Sequence, residues 1–496
     1  MPNANYLQFL KGANTTVSPF VMDDGSLMVQ NGVVTSYKLG AALKDLGYKR
    51  VGDVAQVDET IGGLFNFRQS AGTQKILLTV DDATSDDTQL FYNLSGTWTE
   101  ITDAETAWLN FAGISVEMES FIAYCFFVGY GATDGYLPVA SLTGTTFSTS
   151  TNVTSMPNAK YIRRYRDRLY IANCKSAGTE YPYRVYFSSV PSAGTITWTV
   201  ATDFLDVDYS EQITGIGENW DILMIFTEYS AYQYDQTAFK KVFDVGCSAH
   251  RTIKNSGAYM IWANRDGVWL SASGARPQNI SGPVQDFFRS GTPTTAEVID
   301  EEYNVYVGNA TVNGVTYANV KLTFNIPTSS WRWRELGHAM NIFARYNDSG
   351  DDRLYMGSTA GVIWEQTKYI DTTPIYADGY VTTYTGITDI TAQMETKPFD
   401  LGDPMLQKML KRVTVFAERA VGVQVGFRIF DNNVKALQPY KPLGQLTRYI
   451  NHFQNVGGDC NLIQFLFTET SKNPYFSIFG ISVDYASTVL APISRK

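Results

Sequence analysis

The sequence predicts an all-β chain with a repeated middle section, and three observations carry this. The 496 residues are 14% aromatic and only 18% charged, with 40 glycines. A chain rich in Tyr, Phe, Val, Thr and Gly has strand-and-turn chemistry, whereas a helical solenoid favours Ala, Glu, Lys, Leu and Arg. Strand–turn–strand units also recur along the chain at a near-constant spacing. Finally, at roughly 150 residues per domain the chain is too long for one ordinary core, unless repetition lets one domain grow.

The repeat is clearest in its first three copies. Lys75–Val80 and Gln89–Tyr92 are followed by Ser95-Gly-Thr-Trp98. Phe121–Phe126 and Gly135–Val139 are followed by Thr143-Gly-Thr-Thr-Phe147. Arg168–Ala172 and Tyr183–Phe187 are followed by Ala193-Gly-Thr-Ile-Thr-Trp198. Gly96, Gly144 and Gly194 lie 48 and 50 residues apart, and Trp98, Phe147 and Trp198 lie 49 and 51 apart. Less regular units follow at Asp221–Phe226, Ala258–Trp262, Asn304–Val307 and Arg353–Met356, each leading into an aromatic strand. Short strands repeating every ~40–50 residues are the signature of β-propeller blades. Such a sheet cannot bury both faces alone, and large aromatics fill the space between radially stacked neighbours. A propeller of about six to seven blades is therefore expected over residues 56–370.

Beyond residue 371 the texture changes. Ile375–Thr391 reads as a hairpin, and strands are expected at Arg412–Ala417, Val423–Phe430, Leu462–Thr468 and Tyr475–Tyr485. Several strands in about 125 residues suggest one β-sandwich over 371–496. Residues 1–55 are irregular and are expected to form an extended arm with a few first strands, pairing with another element that the sequence does not specify.

The chemistry-bearing residues are sparse. His250, His338 and His452 have no second His or Cys at ligand spacing and are read as structural or surface groups. Cys125, Cys174, Cys247 and Cys460 show no CxxC spacing, so buried free thiols in a reducing cytoplasm are expected. The acidic clusters Asp81–Asp87 and Asn347–Asp352 lack the spacing of a calcium loop and are read as solvated turns. Gly129-Tyr-Gly131 misses the dinucleotide-loop spacing and is read as a turn. The run from Lys160 to Arg168 interleaves Arg with Tyr, as some nucleic-acid surfaces do. A blade strand is the favoured reading, with Tyr161 and Tyr165 on one face and Arg164, Arg166 and Arg168 partly on the other. Those arginines would pair with acids of a neighbouring blade or subunit. The formal charge of −10 argues against a protein whose main task is gripping phosphate backbones. No catalytic residue, metal or cofactor is assigned. The first ten residues show no basic and then apolar run, so no signal peptide is expected. The most apolar run, Phe121–Tyr130, is half the ~20 residues of a membrane helix, so no membrane insertion is expected.

The order of short patterns resembles tailed-phage structural proteins of the tail nozzle or hub type. Arg168-Leu-Tyr-Ile-Ala172 is followed by Arg184-Val-Tyr-Phe-Ser188, then by Gln212-Ile-Thr-Gly-Ile-Gly217 and Leu223–Phe226. Val245-Gly-Cys-Ser248, Asn264–Trp269, Pro277–Ser281 and Phe399-Asp-Leu-Gly402 follow in the same order. Asp23-Asp-Gly25 and Gly47–Arg50 are a weaker match at the start. The resemblance implies a virion subunit of a short-tailed phage, made in the host cytoplasm and arranged as a ring, a homohexamer, around the DNA channel. The implied partners are other copies of itself, adaptor or portal-side proteins, tail fibre proteins, and viral DNA in passage. Its task would be to retain the genome and let it pass at ejection, past a like-charged wall that does not grip it. A propeller that binds a host receptor or glycan, a neck or collar ring, and a propeller glycosidase stay open beside this reading.

Overall fold

The computed structural model describes residues 3–7, 9, 11–18, 21–23, 26–31, 33–36, 41–51, 59–69, 74–82, 87–93, 97–272, 275–348, 350–368, 377–380, 388–402, 405–418, 422–430, 438–469 and 476–487. Seven small antiparallel sheets follow one another in chain order. Their innermost strands are Thr60–Arg68, Ser115–Phe121, Asn158–Tyr165, Ile213–Asn219, Lys254–Ser256, Thr295–Ile299 and Met340–Asp348. Each innermost strand packs beside the next, and that of blade 7 packs beside that of blade 1, so the ring closes as a seven-bladed propeller.

The cores lie between blades. Ile61 and Leu78 of blade 1 meet Ile342 of blade 7. Leu77 and Leu90 of blade 1 meet Phe127 of blade 2, and Val128 of blade 2 meets Ile171 of blade 3. Equivalent clusters join blades 3 and 4, 4 and 5, 5 and 6, and 6 and 7. The repeating aromatics serve these seams. Trp98 packs at the blade 7–blade 1 seam, Phe147 at the seam of blades 1 and 2, and Trp198 at the seam of blades 2 and 3. Phe147 meets the fully buried Trp108 edge-on, with ring centroids 5.0 Å apart. Burying side chains of this size stabilises by about 1.5–3 kcal/mol each, so every seam contributes to closure. Ser95 and Gly96 of the first repeat lie outside the described residues.

The described N-terminal residues form strands that pair with distant elements of the chain. Tyr48–Arg50 pairs with Ile363–Gln366 as the outer strand of blade 7, only ten residues before blade 1 begins. The two ends of the propeller are thereby joined in one sheet. Gly12–Ala13 and Ser26–Asn31 lie parallel to Ser330–Glu335 of blade 6. Ser26–Asn31 then pairs with Ala392–Thr396, and the sheet continues through Leu462–Glu469 and Gln424–Phe430 to Lys441–Gln445. One ten-stranded sheet thus runs from blade 6 into the C-terminal domain. The cause is an unpaired edge. Exposed backbone on an outer strand is satisfied when another strand covers it.

The C-terminal domain is a β-sandwich. Its second sheet contains Val33–Ser36, Ala41–Lys44, Ser477–Ser487, Lys408–Glu418 and Ile450–Gln454, with Asn3–Leu7 also on Ser477–Ser487. Leu27, Met394, Phe465 and Phe467 of one sheet face Val413, Val415, Ile481 and Val483 of the other. Ala377–Tyr380 and Thr388–Asp389 form the expected hairpin, but it joins the blade 7 sheet through Tyr48–Arg50 rather than the sandwich. Residues 381–387 between them lie outside the described residues, as do Asp24 and Gly25 of the N-terminal match. Among the described residues no helix is long and apolar enough to cross a membrane.

Candidate functional site: the axial cavity of the propeller

Seven innermost strands around one axis enclose a cavity of about 630 Å³. Every blade contributes to its wall, from Leu64 and Asn66 of blade 1 round to Ala344 and Asn347 of blade 7. The strands crowd one another near their starts, where a side chain at Gly62 would place its Cβ 2.4 Å from the Ile114 carbonyl oxygen.

That end is spanned by a cation. His250–Thr252 forms a single 3-10 turn in the connection between blades 4 and 5. From it Arg251 reaches across the axis to the opposite side of the ring. Its Nε donates to Glu117 Oε1 (2.7 Å), and one Nη donates to the Val116 carbonyl (3.0 Å) and to the Gly62 carbonyl. Burial alone would raise the Glu117 carboxyl, but the Arg251 charge holds it below the usual carboxylate range.

His250 lies in the same brace. The Ile216 N–H donates to its Nδ1 (3.3 Å), the Tyr161 ring lies 4.8 Å away, and Nε2 is 3.7 Å from Glu117 Oε2. Burial pushes its pKa down to about 4, opposed by the Glu117 charge. A second proton would have to displace the Ile216 amide from Nδ1. Neutral in the fold and ionised near pH 6.5 when unfolded, His250 costs stability as the pH falls from about 6.5 towards 4. The slope reaches about 1.4 kcal/mol per pH unit. Thermal midpoints of His250→Gln are expected to fall less than those of the parent over this interval, and parallel profiles would contradict the assignment.

The open end carries more charge. Lys254 pairs with Glu297 at 2.9 Å, Arg345 pairs with Asp352 across a hairpin, and Arg163 stands 3.6 Å from Glu119. Burial raises the Glu119 carboxyl against the pull of Arg163. The Lys160–Arg168 run is therefore largely the innermost strand of blade 3. Tyr161 and Tyr165 pack toward blade 4, Arg163 lines the cavity, and Arg166 at the hairpin turn reaches Asp221 of blade 4 at 3.4 Å. Arg168 donates to the Ser188 carbonyl (2.9 Å).

The other groups singled out in the sequence lie elsewhere. His338 hydrogen-bonds Tyr48 (2.9 Å) and stacks on Trp364, and His452 meets the Thr414 hydroxyl (3.0 Å) in the sandwich. The four cysteines are free and buried in separate cores, and burial pushes the Cys247 thiol up to about 11. Gly129 and Gly131 sit within the strand Tyr124–Gly131, not in a turn. The acidic clusters do fall at hairpins, yet their members are partnered rather than simply solvated. Asp81 accepts the Gly113 N–H (2.8 Å), and Asp351 accepts from Lys368 (2.7 Å). Residues 83–86 and 349 lie outside the described residues. Among the described residues no group of three or more His, Cys, Asp or Glu is placed to hold a metal. Sequence reasoning passed over Glu117, Arg251, Lys254 and Glu297. The available signal was charge in otherwise apolar inner strands, as in Val116-Glu-Met-Glu119.

These features define a seven-bladed β-propeller with a β-sandwich grafted onto one blade. No family model matches the sequence, and no curated protein does. The chain is similar in fold to the AfRom2 CNH domain, with 9% identity over 66% of this chain and 100% of that one, at a TM-score of 0.42. It is also similar to an extracellular domain from B. thetaiotaomicron, with 10% identity over 92% of this chain and 63% of that one, at a TM-score of 0.41. An exo-β-1,3-galactanase from Phanerochaete chrysosporium aligns at 8% identity over 89% of this chain and 100% of that one, at a TM-score of 0.27.

Proposed function

We propose that the chain is a structural subunit of a short-tailed phage tail, of the nozzle or hub kind. In this reading it assembles as a roughly sixfold ring that extends the DNA channel, since closed cyclic symmetry is the usual outcome of identical subunits. It sits in the virion, between adaptor or portal-side proteins and the tail fibres. It retains the genome and releases it without a catalytic step.

The observation that carries this reading is the ten-stranded sheet that joins blade 6 to the sandwich. The two domains are linked there by strand pairing, at Gly12–Trp331 and Asn31–Trp333, and not only by the connecting chain. Such a joint suits a subunit that must hold a pressurised duplex. The succession of sequence patterns supports the same reading. DNA would pass through the ring of subunits, not through the propeller. The axial cavity of about 630 Å³ is crossed by Arg251 and cannot admit a duplex whose major groove alone is about 12 Å wide.

Mass measurement of the purified chain, alone and with its portal and adaptor partners, tests this. A closed ring of about six copies is expected. A strict monomer that ignores those partners would favour a receptor-binding propeller. One surface feature fits that second reading. Tyr209 is 71% exposed and packs 4.6 Å from Tyr183 on the outer side of blade 3, beside the Arg184–Asp206 pair.

A further inference from the structure

We infer that copies of this chain join head to tail, with the acidic, aromatic surface of blades 3 and 4 of one copy seated on the basic edge of the next copy's sandwich. The inference rests on the tail reading and names the two surfaces that close its ring.

The distribution of charge along the chain is the first argument. Residues 200–245 carry nine carboxylates and two lysines, a net charge of −7. Residues 405–460 carry eight lysines and arginines and three carboxylates, a net charge of +5. The first stretch runs from the end of blade 3 through blade 4, and the second lies in the sandwich. A cyclic ring of more than two copies needs a contact between two different surfaces of each copy. Two surfaces of opposite sign on one chain meet that need, whereas either surface against itself sets like charge against like.

The acidic surface is the second argument. Tyr209, in the connection from blade 3 to blade 4, is 71% exposed, and Tyr229, in a hairpin turn of blade 4, is 69% exposed. Glu211 accepts the hydroxyls of Ser230 (3.0 Å) and Thr227, which holds that connection against that turn. Asp206 is taken by Arg184 and Asp244 by Lys241, and Glu228 stands 3.6 Å from Arg265. Asp208 and Glu211 form no ion pair among the described residues. Hydrogen bonds from the Ser210 N–H (3.0 Å) and hydroxyl (2.8 Å), with help from the more distant Lys241, hold the Asp208 carboxyl below its usual range. A fixed, exposed carboxylate beside an exposed aromatic ring attracts a cation by charge and by the ring face.

The sandwich supplies the third argument. Arg448, Tyr449 and Ile450 are consecutive exposed residues at the start of the strand Ile450–Gln454. Met409 and Lys411 are exposed at its other end, where the Asn455 N–H donates to the Lys411 carbonyl (3.0 Å). Arg412 is paired with Asp484 and Arg428 with Glu395, while Lys411 and Arg448 form no ion pair among the described residues. Ile450–Gln454 is the outermost strand of its sheet, as Phe204–Asp206 is in blade 3. Both surfaces thus lie at sheet edges that a neighbouring chain can reach. Exposed aromatic and aliphatic side chains beside charge are the anchors that an interface buries.

Sedimentation of the full chain with its portal and adaptor partners, over a range of concentrations, tests the contact. Four versions are compared: the parent, Asp208→Lys, Arg448→Glu and the two changes together. Each single change is expected to raise the concentration for half-assembly at least about tenfold, while the melting temperature of the unassembled chain stays within a few degrees of the parent. The combined change restores opposite signs and is expected to recover at least about threefold of that loss. Should either reversal fail to fold, Asp208→Asn, which keeps an acceptor for Ser210, and Tyr449→Ser test the same two surfaces by the same readout. Folded variants that assemble as well as a ring-forming parent overturn the inference and leave the tail reading standing. A combined variant that assembles no better than the single ones overturns it too. A parent that forms no ring overturns the tail reading and this inference with it.

Discussion

Replacing Lys44 with alanine is expected to destabilise the protein by about 3–5 kcal/mol, the cost of stranding one member of a buried ion pair. Lys44 ends the strand Ala41–Lys44 in one sheet of the sandwich, and Glu469 ends Leu462–Glu469 in the other. Their side chains are 0% and 4% exposed and form a salt bridge between the sheets. The pair ties the N-terminal segment to the last part of the chain. Lys44→Ala leaves the Glu469 carboxylate without this cation in a place that water does not reach. A buried ion pair contributes little net stability beyond an apolar pair of similar volume, so Lys44→Met with Glu469→Met is expected to recover most of the loss. Urea unfolding midpoints of the parent, the single and the double variant give the comparison. A single variant within about 0.5 kcal/mol of the parent would contradict the account, since that is the scale of surface substitutions.

Arg251→Ala is expected to have an effect of similar size, for a related reason at a different place. The guanidinium satisfies Glu117 and two backbone carbonyls from blades 1 and 2. Without it, Glu117 faces a neutral His250 in a buried setting. A loss of about 3–5 kcal/mol at neutral pH is expected. The pH dependence carries the sharper signature. In the parent, Glu117 is held below its ordinary value, so its stabilising contribution is present above about pH 4.5 and is lost as the pH falls through the folded value. In the variant, burial acts without the guanidinium and the carboxyl moves up. The gap between parent and variant should therefore narrow on acidification. Denaturation midpoints at several pH values would show this, and a gap that widens at low pH would refute it.

Much of the propeller was legible in the sequence, and the parts that were not have physical causes. The apolar stretches read as anchors mostly lie in the second strand of each blade. Asp221–Phe226 largely coincides with Ile222–Thr227, and Arg353–Met356 lies within Asp351–Ser358. These strands have neighbours on both sides and both faces, so they read as continuous hydrophobic runs. The innermost strands were harder to see. Thr60–Arg68 carries Gly62 and Ile213–Asn219 carries Gly217, and glycine weakens a strand signal. Close approach near the axis requires it, since a Cβ at Gly217 would lie 2.6 Å from Ile253 Cγ2. The partners of the N-terminal strands were not legible for another reason. Gly12 pairs with Trp331 and Asn31 with Trp333, some three hundred residues away, and no local pattern encodes such a partner. The cavity shared that difficulty, because Glu117 and Arg251 become neighbours only when the ring closes.

We propose above that this propeller–sandwich unit is a ring-forming part of a phage tail. Single-particle electron microscopy of the chain assembled with its portal and adaptor partners tests it most directly. A closed ring of about six copies is expected, with the DNA path through the middle of the ring and the propeller axes lying outside that path. Isolated monomers under the same conditions would contradict it, as would duplex density running through a propeller axis.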